Sequence, residues 1–448
     1  MARKSTEELR KADLAHVIHD ITPFGVSSGV IFERSAGQIL IDTNGKEYID
    51  FIAGLENVNI GHGRKELAES VATQMRKHGY SHTFYGNSHT AVIECAEKLA
   101  ELTPPGLKHF TFSCGGGEAV ETAMKVARFY WYHKGMKNKV KIIGQCNSYH
   151  GVTLGSLSLM SVEPGRGDLA DGFGPKAPDF IHIPSYYCYG CAFGKTYPHC
   201  NIECARNLEK TIEAEGEDNI AAFLTDPVQG SFGVVVPVPE YWPMVREICT
   251  KHNVLLIDDE VMTGFGRTGK MFCIEHWNVI PDIMTMSKGI VSGYLPFGAT
   301  AISDEIFDEL KGKLFVHGFT QGTNPSCCAC AVANLDILVS ERLTENAAKI
   351  GRYLLDRLQE FKEFQYVGEV QGLGCMLRVE LVKDKTTKEK FPPELRVGAK
   401  VVTQALEKGI IVRDYFDRIA IGPCLNITID ECDKALDILR PIIRDLKP

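Results

Sequence analysis

Four short stretches carry side chains whose types would do chemistry if they met. In Met286-Ser287-Lys288-Gly289 a lysine follows the apolar run Ile283–Met286. A lysine entering a protein interior has its pKa lowered and can act as an amine nucleophile toward a carbonyl. The run Leu255-Leu256-Ile257 ends in Asp258, Asp259 and Glu260. Such acids are costly to bury unless a cation, a metal or a protonated ring nitrogen meets them. Ser113-Cys114-Gly115-Gly116-Gly117-Glu118 stands where a strand would give way to a helix. Its glycines permit close backbone approach, and the free N–H groups of a helix start can cradle a phosphate. Asn147-Ser148-Tyr149-His150-Gly151 follows the run at 140–144 and offers an aromatic ring to a planar ligand. Each has a plain structural explanation when taken alone: a solvated lysine, a structural ion pair, a tight turn, a half-buried tyrosine.

The elements around them give these stretches a reason to converge. His109–Phe112 is short and apolar, and after the glycines Val120, Met124, Ala127 and Trp131 recur at helical spacing. The segments 140–144, 220–226 and 254–258 are continuously apolar, as strands of a parallel sheet covered on both faces are. Strands alternating with helices predict an α/β fold. In such sheets ligands bind outside the carboxyl ends of the strands, where all four stretches fall. A phosphate cradle, a stacking ring, a buried acid and a reactive lysine together meet the needs of pyridoxal 5′-phosphate (PLP).

The chain ends read differently. Ile39–Asp42 and Glu47–Asp50 flank Asn44-Gly45, a hairpin signal, and Met376–Val382 reads as a strand among helices. Residues 1–65 and 326–448 are therefore expected to form one smaller α+β domain on a large domain at 66–325. The 448 residues are 44% hydrophobic and 24% charged with a formal net charge of −8, a soluble globular composition with no argument for nucleic-acid binding. No run reaches the roughly 18–20 apolar residues that span a bilayer, and the charged N-terminal stretch lacks the apolar core of a secretory signal. A cytoplasmic location is the expectation.

The chain resembles the class III, or ω-type, aminotransferases of PLP fold type I, over nearly its whole length. The stretch Leu255–Gly269 followed by Ser287-Lys288-Gly289 is highly specific to that family. The resemblance implies a large domain with a mostly parallel sheet and a smaller α+β domain. It makes Lys288 the Schiff-base lysine and proton shuttle, and Asp259 the partner of the pyridine nitrogen. Val261 and Tyr149 match the residues on the two ring faces, and Gly116 and Gly117 the phosphate loop. In Asp226-Pro227-Val228-Gln229, Gln229 matches the glutamine near the cofactor's phenolic oxygen, and Asp226 stands where the family usually has Glu. Thr320 matches a threonine that reaches the phosphate of a neighbouring subunit, which implies a homodimer with shared sites, or a tetramer built from it. Gly117 stands where serine is frequent, Ala420 where many members hold a carboxylate-binding arginine, and Ser231 where glutamate-using members keep a gating glutamate. Losing both argues against a 2-oxoglutarate specialist. Arg413 resembles the mobile arginine of ω-amino acid and amine:pyruvate members, and Arg378 is a second candidate for an anionic group. Leu55, Phe24, Phe84 and Tyr85 are expected to shape the substrate pocket. The implied reaction is ping-pong transfer from a primary amine or ω-amino acid (β-alanine, taurine, 4-aminobutyrate or a diamine) to an oxo-acid, pyruvate by the arginine pattern.

Two features leave alternatives open. Relatives of this fold type also include decarboxylases, racemases, aminomutases and ammonia- or phospho-lyases, and the stretches above define the cofactor better than the outcome. Cys188, Cys191, Cys200 and Cys204 form C-x2-C-x8-C-x3-C, a spacing compatible with a structural metal, with disulfides or with free thiols. A metal- or redox-binding protein built on that cluster is the distant alternative.

Overall fold

The computed structural model describes residues 4–26, 29–162 and 171–448. Seven strands form the central sheet: β1 (Leu107–Ser113), β2 (Lys141–Gln145), β3 (Phe180–Ile183), β4 (Ile220–Thr225), β5 (Leu255–Asp259), β6 (Ile283–Met286) and β7 (Gly298–Ser303). Their spatial order is β1-β7-β6-β5-β4-β2-β3. All run parallel except β7, which pairs antiparallel with β1 and β6, placing Gly298 opposite Ser113 and Ala299 opposite Met286.

The continuous apolar runs explain this sheet. Successive side chains of a strand point to opposite faces, so a strand covered on both sides must be apolar throughout. Ile142, Ala222, Leu224, Leu255, Ile257 and Ile283 join the helix Gly116–His133 in one core, through Val120, Ala123, Met124, Ala127 and Trp131. The intervening Ile143, Phe223, Leu256 and Met284 belong to the larger core with Trp242 and Phe265. The buried Trp131 indole N–H donates to the Ala221 carbonyl at 2.8 Å, so no polar cost offsets its packing.

The two chain ends meet in smaller sheets. Ile39–Asp42 and Glu47–Asp50 pair across the Asn44-Gly45 turn, where Gly45 adopts φ +86°. Ile410–Ile411 adds to the same sheet in parallel, Ile410 opposite Ile49. A second sheet runs Val367–Leu373, Met376–Leu381, Arg418–Ile421, Arg413–Asp414.

That second sheet corrects one expectation. Arg378 is fully buried, with its guanidinium on Glu369 and Glu380 and on the Val234 carbonyl. It is committed to internal pairing, so no ligand anion can reach it. Glu380 gathers Arg378, Arg418 and Lys390, and accepts from the Tyr187 hydroxyl. Burial alone would raise its pKa, but the three cations win and hold it at about 2. Removing one member of a buried pair strands its partners, at a cost of about 3–5 kcal/mol. Glu380→Gln is therefore expected to lose about that much unfolding free energy at neutral pH in urea titrations. A carboxylate with a depressed folded pKa stabilises above its unfolded value, near 4.3. The gap between wild type and variant should then close as pH falls from about 4 toward 2.

Candidate active site

The C-terminal ends of β1, β2, β4, β5 and β6 open on one cavity of about 400 Å³, bordered by Gly116, Tyr149, Asp226, Asp259, Val261 and Lys288 among others. Parallel strands point their carboxyl ends the same way, so the loops that follow them must meet on one edge of the sheet.

At the end of β1 the chain turns through Gly115 into the helix Gly116–His133, and the Cys114 N–H donates to Glu118 at 2.7 Å. The glycines are needed because two other loops press on this turn. A Cβ on Gly116 would lie 2.8 Å from a Val261 methyl. Gly151, at φ +119°, has no room for one either, since it would sit 2.6 Å from the Gly117 Cα. The helix start is thus bare backbone facing the cavity, where N–H groups and the helix dipole favour a phosphate.

Asp259, at the end of β5, is nearly fully buried. Its Oδ1 accepts from the Thr285 hydroxyl at 2.8 Å and the Val261 N–H at 3.1 Å, and its Oδ2 meets His150 Nδ1 at 2.6 Å. Asp226 approaches the same nitrogen, its Oδ1 3.5 Å from His150 Nδ1. Burial would depress the His150 pKa, yet the two carboxylates outweigh it and raise it. Asp226 is pushed up to about 7, by burial first, with His150 opposing and Asp259 adding repulsion. Its Oδ1, buried in the cavity wall, has no hydrogen-bond donor among the described residues. His150 and Thr285 were missed as site residues. His150 stood in the quoted Tyr149-His150-Gly151 stretch, and Thr285 was the polar interruption of an apolar strand.

Lys288 follows β6 and takes φ +41°, an uncommon conformation for a side-chain-bearing residue and one that clusters at functional sites. Burial lowers its pKa, Arg413 pushes the same way, and Glu56, Asp259 and Asp226 oppose. Arg413 is half-buried, with its guanidinium 4.5 Å above the Tyr415 ring. It has no carboxylate in ion-pair contact among the described residues, although it bears electrostatically on Lys288 and on Tyr149. Ser231 also borders the cavity.

The remaining expected residues lie elsewhere. Gln229 is buried behind the wall, where its side chain holds Ser148, Ser185 and the Cys146 carbonyl. It braces the loop after β2 without facing the cavity. Thr320 is exposed on the loop after residue 314, and its carbonyl accepts from the Tyr80 hydroxyl at 2.8 Å. Leu55 and Tyr85 are 55% and 99% exposed and do not border the cavity within one chain; Phe24 is also exposed. The Phe84 ring packs against Gly318. All four thiols of the cysteine cluster are free, and among the described residues no three of them come together at ligating distance, so a structural metal there has no support. Cys188 is exposed, and Cys191, Cys200 and Cys204 are partly buried.

The residues present fit PLP: a glycine-built helix start for its phosphate, a fixed buried carboxylate for its ring nitrogen, and a lysine with a lowered pKa for its aldehyde. Comparison with known proteins agrees. The class-III aminotransferase family model matches residues 24–443. A putrescine–pyruvate aminotransferase of Pseudomonas aeruginosa is 37% identical over 92% of this chain and 89% of its own. An adenosylmethionine-8-amino-7-oxononanoate aminotransferase of Geobacter sulfurreducens is 36% identical over 98% of both. A thermostable (S)-enantioselective ω-transaminase from Thermomicrobium roseum superimposes with a TM-score of 0.93 at 44% identity, covering 99% of this chain and all of that one. The chain belongs to the class III aminotransferases and is a PLP-dependent transferase of amino groups.

Proposed function

We propose that this enzyme moves an amino group from a primary amine or ω-amino acid to an oxo-acid, pyruvate in preference to 2-oxoglutarate, by a ping-pong sequence. The observation that carries this reading is a cation with no ion-pair carboxylate among the described residues, Arg413, bearing electrostatically on the cavity residue Lys288. PLP, when bound, supplies an electron sink that lets a carbon next to nitrogen lose its proton. Gly116 and Gly117 would hold the phosphate through backbone N–H groups, with Tyr149 and Val261 on the same cavity available to the ring. Asp259, fixed by His150, Thr285 and the Val261 N–H, would hold its negative charge against the ring nitrogen and keep that nitrogen protonated. Lys288 Nζ, its pKa lowered by burial, would take the proton from the donor carbon and return it one position away. Arg413 binds the oxo-acid carboxylate. Ser231 and Ala420, at positions where glutamate users carry charge, leave 2-oxoglutarate without its second anchor.

Thr320 is assigned to the phosphate held by a second copy of the chain. Its exposure, and that of Tyr85, Leu314 and Val316, supports a homodimer in which Tyr85 and Leu55 complete the substrate pocket. The domain division at residues 65 and 325 and a cytoplasmic location belong to the same reading. No helix among the described residues is long and apolar enough to cross a membrane.

Absorbance of the PLP-loaded protein tests the reaction. A suitable amine added without oxo-acid should bleach the yellow band, and pyruvate should restore it. Bleaching with release of ammonia and no recovery would mean a lyase instead. Arg413→Ala should raise the pyruvate concentration needed for half-maximal recovery by roughly 10- to 100-fold, the worth of a charge-assisted hydrogen-bonded pair. An unchanged value would remove Arg413 from the site.

The rate of cofactor loading tests Lys288. A free amine is required for attack, and the amine is the form present above the pKa. The loading rate should rise with pH and level off at a pH below 10.5, the ordinary lysine value. Lys288→Ala should bind PLP without developing the band.

A further inference from the structure

One buried charge near Lys288 has no part in the chemistry above. Glu56 is 1% exposed, and neither carboxylate oxygen has a hydrogen-bond donor among the described residues. A buried carboxylate without a donor is costly, and native structures keep such groups for a reason. The backbone that carries it is strained as well. Ala53, Gly54 and Glu56 have φ of +46°, +68° and +53°, and two of the three bear side chains that disfavour this region. Asp50 holds the turn in place through the Gly54 N–H at 2.8 Å, and His62 in turn holds Asp50 at 2.8 Å. On the opposite side the Glu56 side chain lies against Gly422, where a Cβ would come within 2.9 Å of its Cγ.

The surroundings say what this carboxylate faces. Lys288, Arg267 and Arg413 bear on it in that order, and none makes an ion pair with it. Arg267 is already spent on the carbonyls of Gly422 and Pro423 and on Asn59. The other two mark the ends of the substrate. Lys288 Nζ stands where the donor's reacting nitrogen must arrive, and Arg413 is the only one of the three able to take an anion. Next to Glu56 an anionic donor tail is repelled, an alkyl tail leaves the carboxylate unpaired, and a cationic tail satisfies it.

We propose that Glu56 receives the second ammonium group of a diamine donor while the first amine reacts at Lys288, an assignment that rests on the aminotransferase reading above. The pocket then takes a dication through Glu56 and a monoanionic oxo-acid through Arg413 by turns. Specificity arises because a buried site built for a polar group rejects ligands that leave it unpaired.

The test is single-turnover bleaching of the PLP-loaded enzyme by 1,4-diaminobutane and by 1-aminobutane, fitted for half-saturating concentration and limiting rate. Wild type should half-saturate with the diamine at a concentration roughly 10- to 100-fold lower. Glu56→Gln should erase that preference by raising the half-saturating concentration of the diamine alone, while any change in limiting rate that reaches Lys288 should fall on both amines alike. Equal weakening of both amines, or none, overturns the assignment and leaves the aminotransferase reading standing. Wild-type enzyme that no amine bleaches overturns both. A second measurement needs no variant. Burial raises the Glu56 pKa above 4.5, with Lys288, Arg267 and Arg413 opposing and Tyr415 nearby. Only the ionised form attracts an ammonium, so the wild-type preference for the diamine should grow as pH rises through the Glu56 ionisation and then level off. A preference independent of pH overturns the assignment.

Discussion

His150 Nδ1 and Asp259 Oδ2 meet at 2.6 Å with both side chains buried. This contact joins the loop after β2 to the end of β5 and sets the rest of the active site. Asp259 would otherwise be a carboxylate in the sheet interior a few ångströms from Asp226, and two like charges there could not both ionise cheaply. The imidazole Nδ1 faces both, hydrogen-bonding Asp259 at 2.6 Å and lying 3.5 Å from Asp226. With Oδ2 on His150 and Oδ1 on Thr285 and the Val261 N–H, the Asp259 carboxylate cannot rotate. Its direction is decided by the loops and strands β2, β5 and β6 and not by the ligand. Catalysis by electrostatics depends on charges fixed before the reaction begins.

The same contact places the glycines. Val261 takes its position from the backbone N–H bond to Asp259, and its methyls then fill the space a Gly116 side chain would need. Tyr149 precedes His150 and Gly151 follows it, so anchoring the histidine fixes both the aromatic ring and the strand of backbone pressed on Gly117. Phosphate cradle, ring contact and acid are therefore one construction. A change in any of the three loops would be felt by the other two.

This dependence explains what could be read from the sequence. Continuous apolar runs ending in Asp259, Lys288 and the glycine cluster are local signals, and α/β topology brings strand ends together by rule. The partners of each charge are another matter. Arg378 looks like a candidate anion receptor until strand pairing places it opposite Ala420 and Gln371, within reach of Glu369 and Glu380. Glu56 looks like a loop acid until the turn at Ala53–Glu56 is seen to drive it inward. Gln229 lies one residue too deep to face the cavity, because its amide is consumed by Ser148 and Ser185. The cysteine spacing fits a metal site in one dimension, but among the described residues no three of the sulfurs come within ligating distance of one another. In each case the missing information is long-range register, which no short window of sequence contains.

Register also accounts for the choice at position 420. In the small sheet Ala420 pairs with Arg378 on one side and with Arg413 on the other. Residues directly opposite in antiparallel strands project to the same face, and like charges there destabilise. An arginine at 420 would complete a row of three guanidinium groups across that face. With alanine there, Arg378 can stay buried on its glutamates while Arg413 lies over the Tyr415 ring. On the proposed reading, Arg413 is the one cation left for substrate, which suits a short monoanionic acceptor. An acceptor with two carboxylates would need a second anchor.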